Sequence, residues 1–428
     1  MGTSSTDAAN GAANDEDSGG LSCATGLRCV ICETRFLHQQ LYNCPACGGI
    51  LEVEYDYLRA GEPDAGRWQN LLLPIEPTRR VTLGEGRTAL VAAPKLAEQL
   101  GATQLLLKCE FTNPTGSFKD RPISVGITKA IEFGRDTVIV ASTGNAAASV
   151  AAYAARAGIR AVVLVPEDTS PEKVSQTLFY GAVVVRTCGT FSDCYAVALE
   201  LAQRYGFVNM STTFLNPYTV EGNKEIAFEI HCACDDAGAL SAPVHALGGR
   251  EPDEIFVPVG AGPMLVGIAN GYRDLLRIGR CRSAPAMVAV QAEGCRPIAV
   301  AWESGAAEVR EVPRPQTVAR GIGDGLCGYA ADGTHTLRAV RASRGYAVTV
   351  SDARILEAQR LLAESEGLFV EPTGAAGLAG AMNAAADGGL QGKTIVVILS
   401  GHGLKDRVEL GAEPPLVDAT AEAVLSAL

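Results

Sequence analysis

Six short runs constrain this chain more than any other feature: "DTVIVAS", "RAVVLVP", "AVVVRT", "EIFVPVG", "AMVAVQAEG" and "KTIVVILSG". Each holds an unbroken apolar, largely β-branched stretch, whereas a strand with one wet face alternates apolar and polar residues. Such strands are expected to be covered on both faces, as in parallel sheets. The stretches "AAASVAAYAARAG" and "DCYAVALELAQRYG" between them read as crossover helices that close at glycine. The expected class is α/β, with twisted parallel sheets under helices and ligands at the carboxyl ends of strands.

With 428 residues the chain exceeds one ordinary core, so two domains or more are expected. No apolar run reaches the roughly 20 residues that a bilayer span needs, so no membrane partner is expected. The acidic opening, "MGTSSTDAANGAANDEDSGG", lacks the parts of a signal peptide and reads as a disordered tail over residues 1–25. Thirteen cysteines without such a signal point to reduced thiols, and so to the cytoplasm. A formal net charge of −12 argues against a nucleic-acid partner but leaves room for a small anion held by local donors. The stretch over 233–254 reads as a surface excursion before a strand.

Four cysteines stand apart: "CVIC" at Cys29 and Cys32, and "CPAC" at Cys44 and Cys47, with eleven residues between the pairs. That spacing can bring four thiolates to one tetrahedral Zn²⁺ in a ribbon over residues 26–58. Four protein ligands leave no open position, so the expected metal is structural. The alternative is a ribbon of reduced thiols without metal. The loop "CETRFLHQQLYNC" carries only Arg35 and His38 as basic residues, too few for a nucleic-acid face.

Four motifs fall where strands should end. "NPTGSFKDRP" (113–122) presents Lys119 after a tight turn. "STGNAAAS" (142–149) leads into an alanine-rich helix whose free N–H groups suit an anion. "PVGAGPM" (258–264) is glycine-rich and lets a phosphate approach the backbone. "SGHGLKD" (400–406) puts Ser400 and His402 at a strand end. Singly, each has a plain alternative: a solvated lysine, a tight turn, a packing histidine.

Together, "NPTGSFKDR", "STGNAAASVAAYAARAG", "LSGHGLKD", "LGEGRTAL" and the cysteine ribbon resemble the threonine synthase family. These are fold-type-II pyridoxal phosphate (PLP) enzymes of the tryptophan-synthase-β group. The resemblance covers roughly residues 26–410 and implies two α/β domains: a large one from 59–118 and 225–428, and a small one over 119–224. It implies that Lys119 is the Schiff-base lysine, with Phe118 and Asn145 flanking the cofactor and Gly260, Ala261 and Gly262 holding its phosphate. Ser400 would face the pyridine nitrogen as a neutral hydroxyl, which favours elimination and replacement over transamination. Ser142, Thr143 and Gly144 would hold the substrate carboxylate, and the 209–224 region, with Ser211 and Thr219, would complete the substrate pocket. A low-dielectric pocket or a cationic neighbour such as Arg121 is expected to lower the Lys119 pKa. A cytoplasmic homodimer acting on a small amino acid with a phosphate leaving group is implied.

The pattern departs from the family at several places. "NPYTVEGNK" puts Thr219 where threonine synthases usually carry a phosphate-binding arginine, removing a charge-assisted fork. Ala261 replaces a usual asparagine, Pro263 lacks an N–H, and "EPTGAAGLAG" is closer to the serine and threonine dehydratases. Arg87 is a new cation that could stand in for the missing arginine or be solvated. Two reactions therefore remain open: elimination of phosphate from O-phosphohomoserine with addition of water, giving threonine, and β-elimination or β-replacement on a phosphorylated or activated serine- or threonine-like amino acid. A catalytically silent PLP-binding protein is the third possibility.

Overall fold

The computed structural model describes residues 22–60, 68–189, 191–234, 250–406 and 415–427. Most of the expected tail, and 235–249 of the expected excursion, lie outside these residues.

The amino-terminal ribbon is antiparallel: β1 (Ala24–Cys29) lies between β2 (Arg35–Phe36) and β3 (Leu51–Tyr55). β4 (Leu90–Ala92) and β5 (Gln104–Lys108) open a six-stranded sheet completed by β10 (Glu254–Pro258), β11 (Ala286–Ala292), β12 (Tyr346–Val350) and β13 (Thr394–Ile398). Its order is β12-β11-β10-β13-β5-β4; all pairs are parallel except β4 with β5 at the edge. A four-stranded parallel sheet of β6 (Thr137–Ala141), β7 (Arg160–Pro166), β8 (Val183–Thr187) and β9 (Val208–Asn209) has the order β8-β7-β6-β9. All six runs singled out in the sequence are strands.

β6 and β10 are buried at every residue, as unbroken apolar runs require. β8 is the exception: it is an edge strand, with Val183 50% and Val185 41% exposed. The helix Pro372–Ala386 covers the centre of the larger sheet. Its run of glycine and alanine allows that contact, because a Cβ at Gly377 would sit only 3.2 Å from the Ile398 carbonyl oxygen and 3.3 Å from that of Phe256. Glu371, which precedes this helix, is thereby set at the carboxyl end of the sheet.

Candidate active site

The ends of β6, β10 and β13 meet at a cavity of about 680 Å³. Its wall includes every residue expected there: Phe118, Lys119, Ser142, Thr143, Gly144, Asn145, Ser211, Thr219, Gly260, Ala261, Gly262 and Ser400. Segments up to about 280 positions apart thus converge on one chamber, as expected at strand ends in α/β folds.

Lys119 ends the turn of its motif and precedes the helix Asp120–Glu132. Asp120 holds that turn closed: its carboxylate accepts from the Thr115 N–H at 2.7 Å, the Thr115 hydroxyl at 2.6 Å and the Ser149 hydroxyl at 2.7 Å. The turn is tied to the last motif where the Phe118 N–H donates to the Ser400 carbonyl at 3.0 Å. The Lys119 amine donates to Thr212 Oγ1 at 2.7 Å and lies 4.5 Å from the centre of the Phe118 ring. Burial lowers its pKa to about 8, against the opposing pull of the Asp324 and Glu371 carboxylates.

Of the two causes expected from sequence, burial acts and Arg121 has no part in the shift. Successive helical side chains point about 100° apart, and Arg121 turns into a fully buried cage between Glu110 and Glu229. Its charge is already matched there.

A lysine is nucleophilic only when neutral, so a pH dependence follows. In cofactor-free protein the rate of covalent PLP attachment is expected to rise with pH and level off above about 8. An ordinary lysine would continue to gain up to about 10.4. Stopped-flow absorbance across this range checks it; a rate still climbing at the alkaline end would contradict the lowered pKa.

The other motifs supply donors. The helix Asn145–Ala157 points its free amino end at the cavity, and Asn145 Nδ2 donates to Glu371 Oε1 at 2.9 Å. Burial raises the Glu371 carboxyl to about 7. Gly262, at φ +106°, opens the helix Pro263–Arg277; a Cβ there would run into the Thr336 side chain. Thr336 in turn donates to the Ala261 carbonyl at 2.6 Å, which holds the loop. Pro263 occupies the first helical turn, where a missing N–H costs no intrahelical bond. The hydroxyls of Ser400 and Ser211 are buried and have no hydrogen-bond partner among the described residues. Orphaned hydroxyls in a cavity wall call for a ligand. Helix ends and a glycine cradle for a phosphate, a buried amine and an unpaired hydroxyl fit PLP.

Thr212, from the expected 209–224 region, also lines the wall, as do Asp324, Tyr329, Glu371 and Lys405, for which no site role was anticipated. Asp324 accepts from the Tyr329 hydroxyl at 2.7 Å, and the Tyr329 ring stacks on Tyr195 at 5.2 Å. The glycines around Asp324 in "GIGDG" were the available signal. Thr219 is 1% exposed, and its hydroxyl donates to the Asn216 carbonyl at 2.8 Å. Arg87 is exposed and outside the cavity, so it does not stand in for the absent arginine. The basic side chains among the described wall residues are Lys119, Arg320 and Lys405. His402 sits edge-on to Phe111 and Phe369, and its Nδ1 accepts from the Leu404 N–H at 3.1 Å, a packing and capping role.

In the ribbon, the sulfurs of Cys29, Cys32, Cys44 and Cys47 all lie within 4.8 Å of one another. Three of the separations are 3.4, 3.6 and 3.4 Å. Tetrahedral zinc with 2.3 Å bonds sets its sulfurs roughly 3.8 Å apart, so the four thiols fit such an ion.

The pattern of the pyridoxal-phosphate dependent enzymes matches residues 81–401. The chain belongs to that family. Within it, the threonine synthase of Methanosarcina acetivorans is 38% identical over 418 residues, covering 94% of this chain and 98% of the relative. That of Methanocaldococcus jannaschii is 37% identical, covering 89% and 92%. Among solved structures, the T.th. threonine deaminase aligns with a TM-score of 0.62 at 28% identity, covering 77% of this chain and 97% of that one. The maize serine racemase structure, covering 78% and 93%, shares the fold at a TM-score of 0.62 and 23% identity. This pyridoxal-phosphate dependent enzyme is a member of the threonine synthase family and a lyase of fold type II. No helix among its described residues is long and apolar enough to cross a membrane.

Proposed function

We propose that the enzyme eliminates phosphate from O-phosphohomoserine and adds water to give L-threonine. The observation that carries this reading is the desolvated Lys119 amine in the wall of the cavity, in a chain matching a threonine synthase over 98% of that relative. Bound PLP would supply an electron sink for the substrate α-carbon. Lys119 would attach the cofactor and, once displaced by substrate, move the α-proton. Ser142, Thr143 and Gly144 would orient the substrate carboxylate, and Asn145, positioned by Glu371, the cofactor's phenolic oxygen. Gly260, Ala261 and Gly262 would take its phosphate, Phe118 would pack on its ring, and Ser400 would meet its nitrogen without charging it. Ser211 and Thr219 would bound the substrate side chain. Cys29, Cys32, Cys44 and Cys47 would hold a structural zinc ion. A homodimer of a large domain (59–118 and 225–428) and a small one (119–224) completes the proposal.

One observation favours a second reading. Thr219 turns its hydroxyl to the Asn216 carbonyl, so the usual phosphate fork is absent at that place. β-Elimination or β-replacement on an activated serine- or threonine-like amino acid would not need it. Incubation with O-phosphohomoserine, O-phosphoserine and O-phosphothreonine separates the two. Threonine and phosphate from the first substrate are expected; phosphate released only from the other two would overturn the first reading.

A further inference from the structure

The cavity wall over 209–223 bounds the side-chain end of the pocket, and the ribbon is built onto its back. Tyr42 lies two residues before Cys44. It accepts from the Asn209 N–H at 2.9 Å and donates to the Phe207 carbonyl at 2.9 Å. Asn209 is fully buried and organises the wall: its side chain accepts from the Ser211 N–H at 2.8 Å, and its carbonyl from Asn216 Nδ2 at 3.0 Å. Thr212, next along, receives the Lys119 hydrogen bond.

A second tether reaches the helix Pro217–Gly222, which carries Thr219. Tyr55 of β3 donates to Glu221 Oε2 at 2.6 Å, and the Tyr218 hydroxyl is bonded at 3.1 Å to both the N–H and the carbonyl of Gln39. Glu221 pairs with Lys224, which is fully buried, 3.8 Å from the centre of the Tyr55 ring and 2.6 Å from Asp274.

The loop that bears Gln39 and Tyr42 has no strand or helix of its own between β2 and β3. Besides the hydrogen bonds it makes to the body, through Gln39, Gln40 and Tyr42, its two ends are held at the sulfur cluster, with Cys32 before it and Cys44 after it. A metal cross-link would remove the freedom that so irregular a loop otherwise keeps.

We propose that the ribbon is a metal-set buttress of the substrate wall. Metal on Cys29, Cys32, Cys44 and Cys47 fixes the 37–44 loop, Tyr42 then fixes Asn209, and Asn209 fixes Ser211 and Thr212. Tyr42 and Tyr55 are thus positioning residues, and metal occupancy sets affinity for the amino acid rather than the amount of PLP held. The inference holds whichever amino acid is the substrate.

The test uses the holoenzyme, wild type and Tyr42→Phe, with metal content measured before and after EDTA. Loss of one buried hydroxyl is expected to raise KM about tenfold with kcat within about twofold. The absorbance of bound PLP stays unchanged. Metal removal is expected to reproduce that rise and to speed amide hydrogen exchange over 209–223. In the metal-free protein Tyr42→Phe should then add little, because both act on one chain of contacts. An unchanged KM in Tyr42→Phe overturns the proposal, as does unchanged exchange over 209–223 after metal loss, or the absence of bound metal. If removing metal unfolds the protein, the folded, metal-loaded Tyr42→Phe and Tyr55→Phe variants decide by KM. If no amino acid tested is turned over, the exchange comparison decides alone, separately from the proposed reaction.

Discussion

Lys119→Ala is expected to abolish turnover. In the proposed role, loss of its proton transfers alone would lower kcat by a factor on the order of 10² to 10⁴, and covalent attachment of the cofactor would be lost with it. The other proposed cofactor contacts in the cavity wall, Gly260–Gly262, Asn145 and Ser400, are untouched, so PLP should still be retained without a covalent bond. Two measurements are needed: product formation, and whether borohydride fixes PLP to the protein. Wild type should be labelled and the variant not. Substantial turnover, or labelling at another lysine, would remove Lys119 from the centre of the mechanism. Adding a small primary amine should restore part of the activity, because the wall that orients the substrate is intact. A purely structural defect would not respond to the amine.

Arg121→Met is expected to cost about 3 to 5 kcal/mol of stability, the usual penalty for stranding a buried charge. Arg121 makes paired contacts with Glu110 at 2.7 and 2.8 Å and with Glu229 at 2.7 and 2.8 Å. Lys108 adds a contact with Glu229 at 2.6 Å. Burial alone would raise the Glu229 carboxyl, but Arg121 and Lys108 overcome it and hold the pKa at about 2. A folded pKa below the unfolded value of roughly 4.3 gives stability that is present above that value and lost as pH falls toward the folded one. Urea unfolding at neutral pH and at about pH 4 therefore reads the network twice. The variant should lose stability at neutral pH and show a shallower acid dependence. A loss below about 1 kcal/mol would mean that the cage relaxes around the missing charge.

The arginine also shows why part of the site was hidden in the sequence. Arg121 is two residues from Lys119, and adjacency suggested that it would act on the amine. The helix turns it away, while Asp324 and Glu371, more than two hundred positions further on, bear directly on Lys119. Motifs at strand ends were legible because a tight turn, a helix start and a glycine cradle each leave a local mark. The acids left less, since what matters about them is which distant segment they face. The same holds for β8, whose valines read like those of β6. A run of valines records its own chemistry, not whether a helix will cover it. β5, "QLLLK", has no β-branched residue and β12, "YAVTV", is broken by a threonine, so both leave a weaker mark, yet both belong to the larger sheet.

The strand order also sets a timetable for biosynthesis. β13 lies between β10 and β5 in the six-stranded sheet, so the last of the described strands in chain order is inserted near its middle. The sheet cannot close on the ribosome until β13 has emerged, long after β4 and β5, and Ser400, just beyond β13, arrives with it. The cofactor chamber is therefore completed only once β13 has been made, whereas the ribbon and the four-stranded sheet can pair their own strands long before.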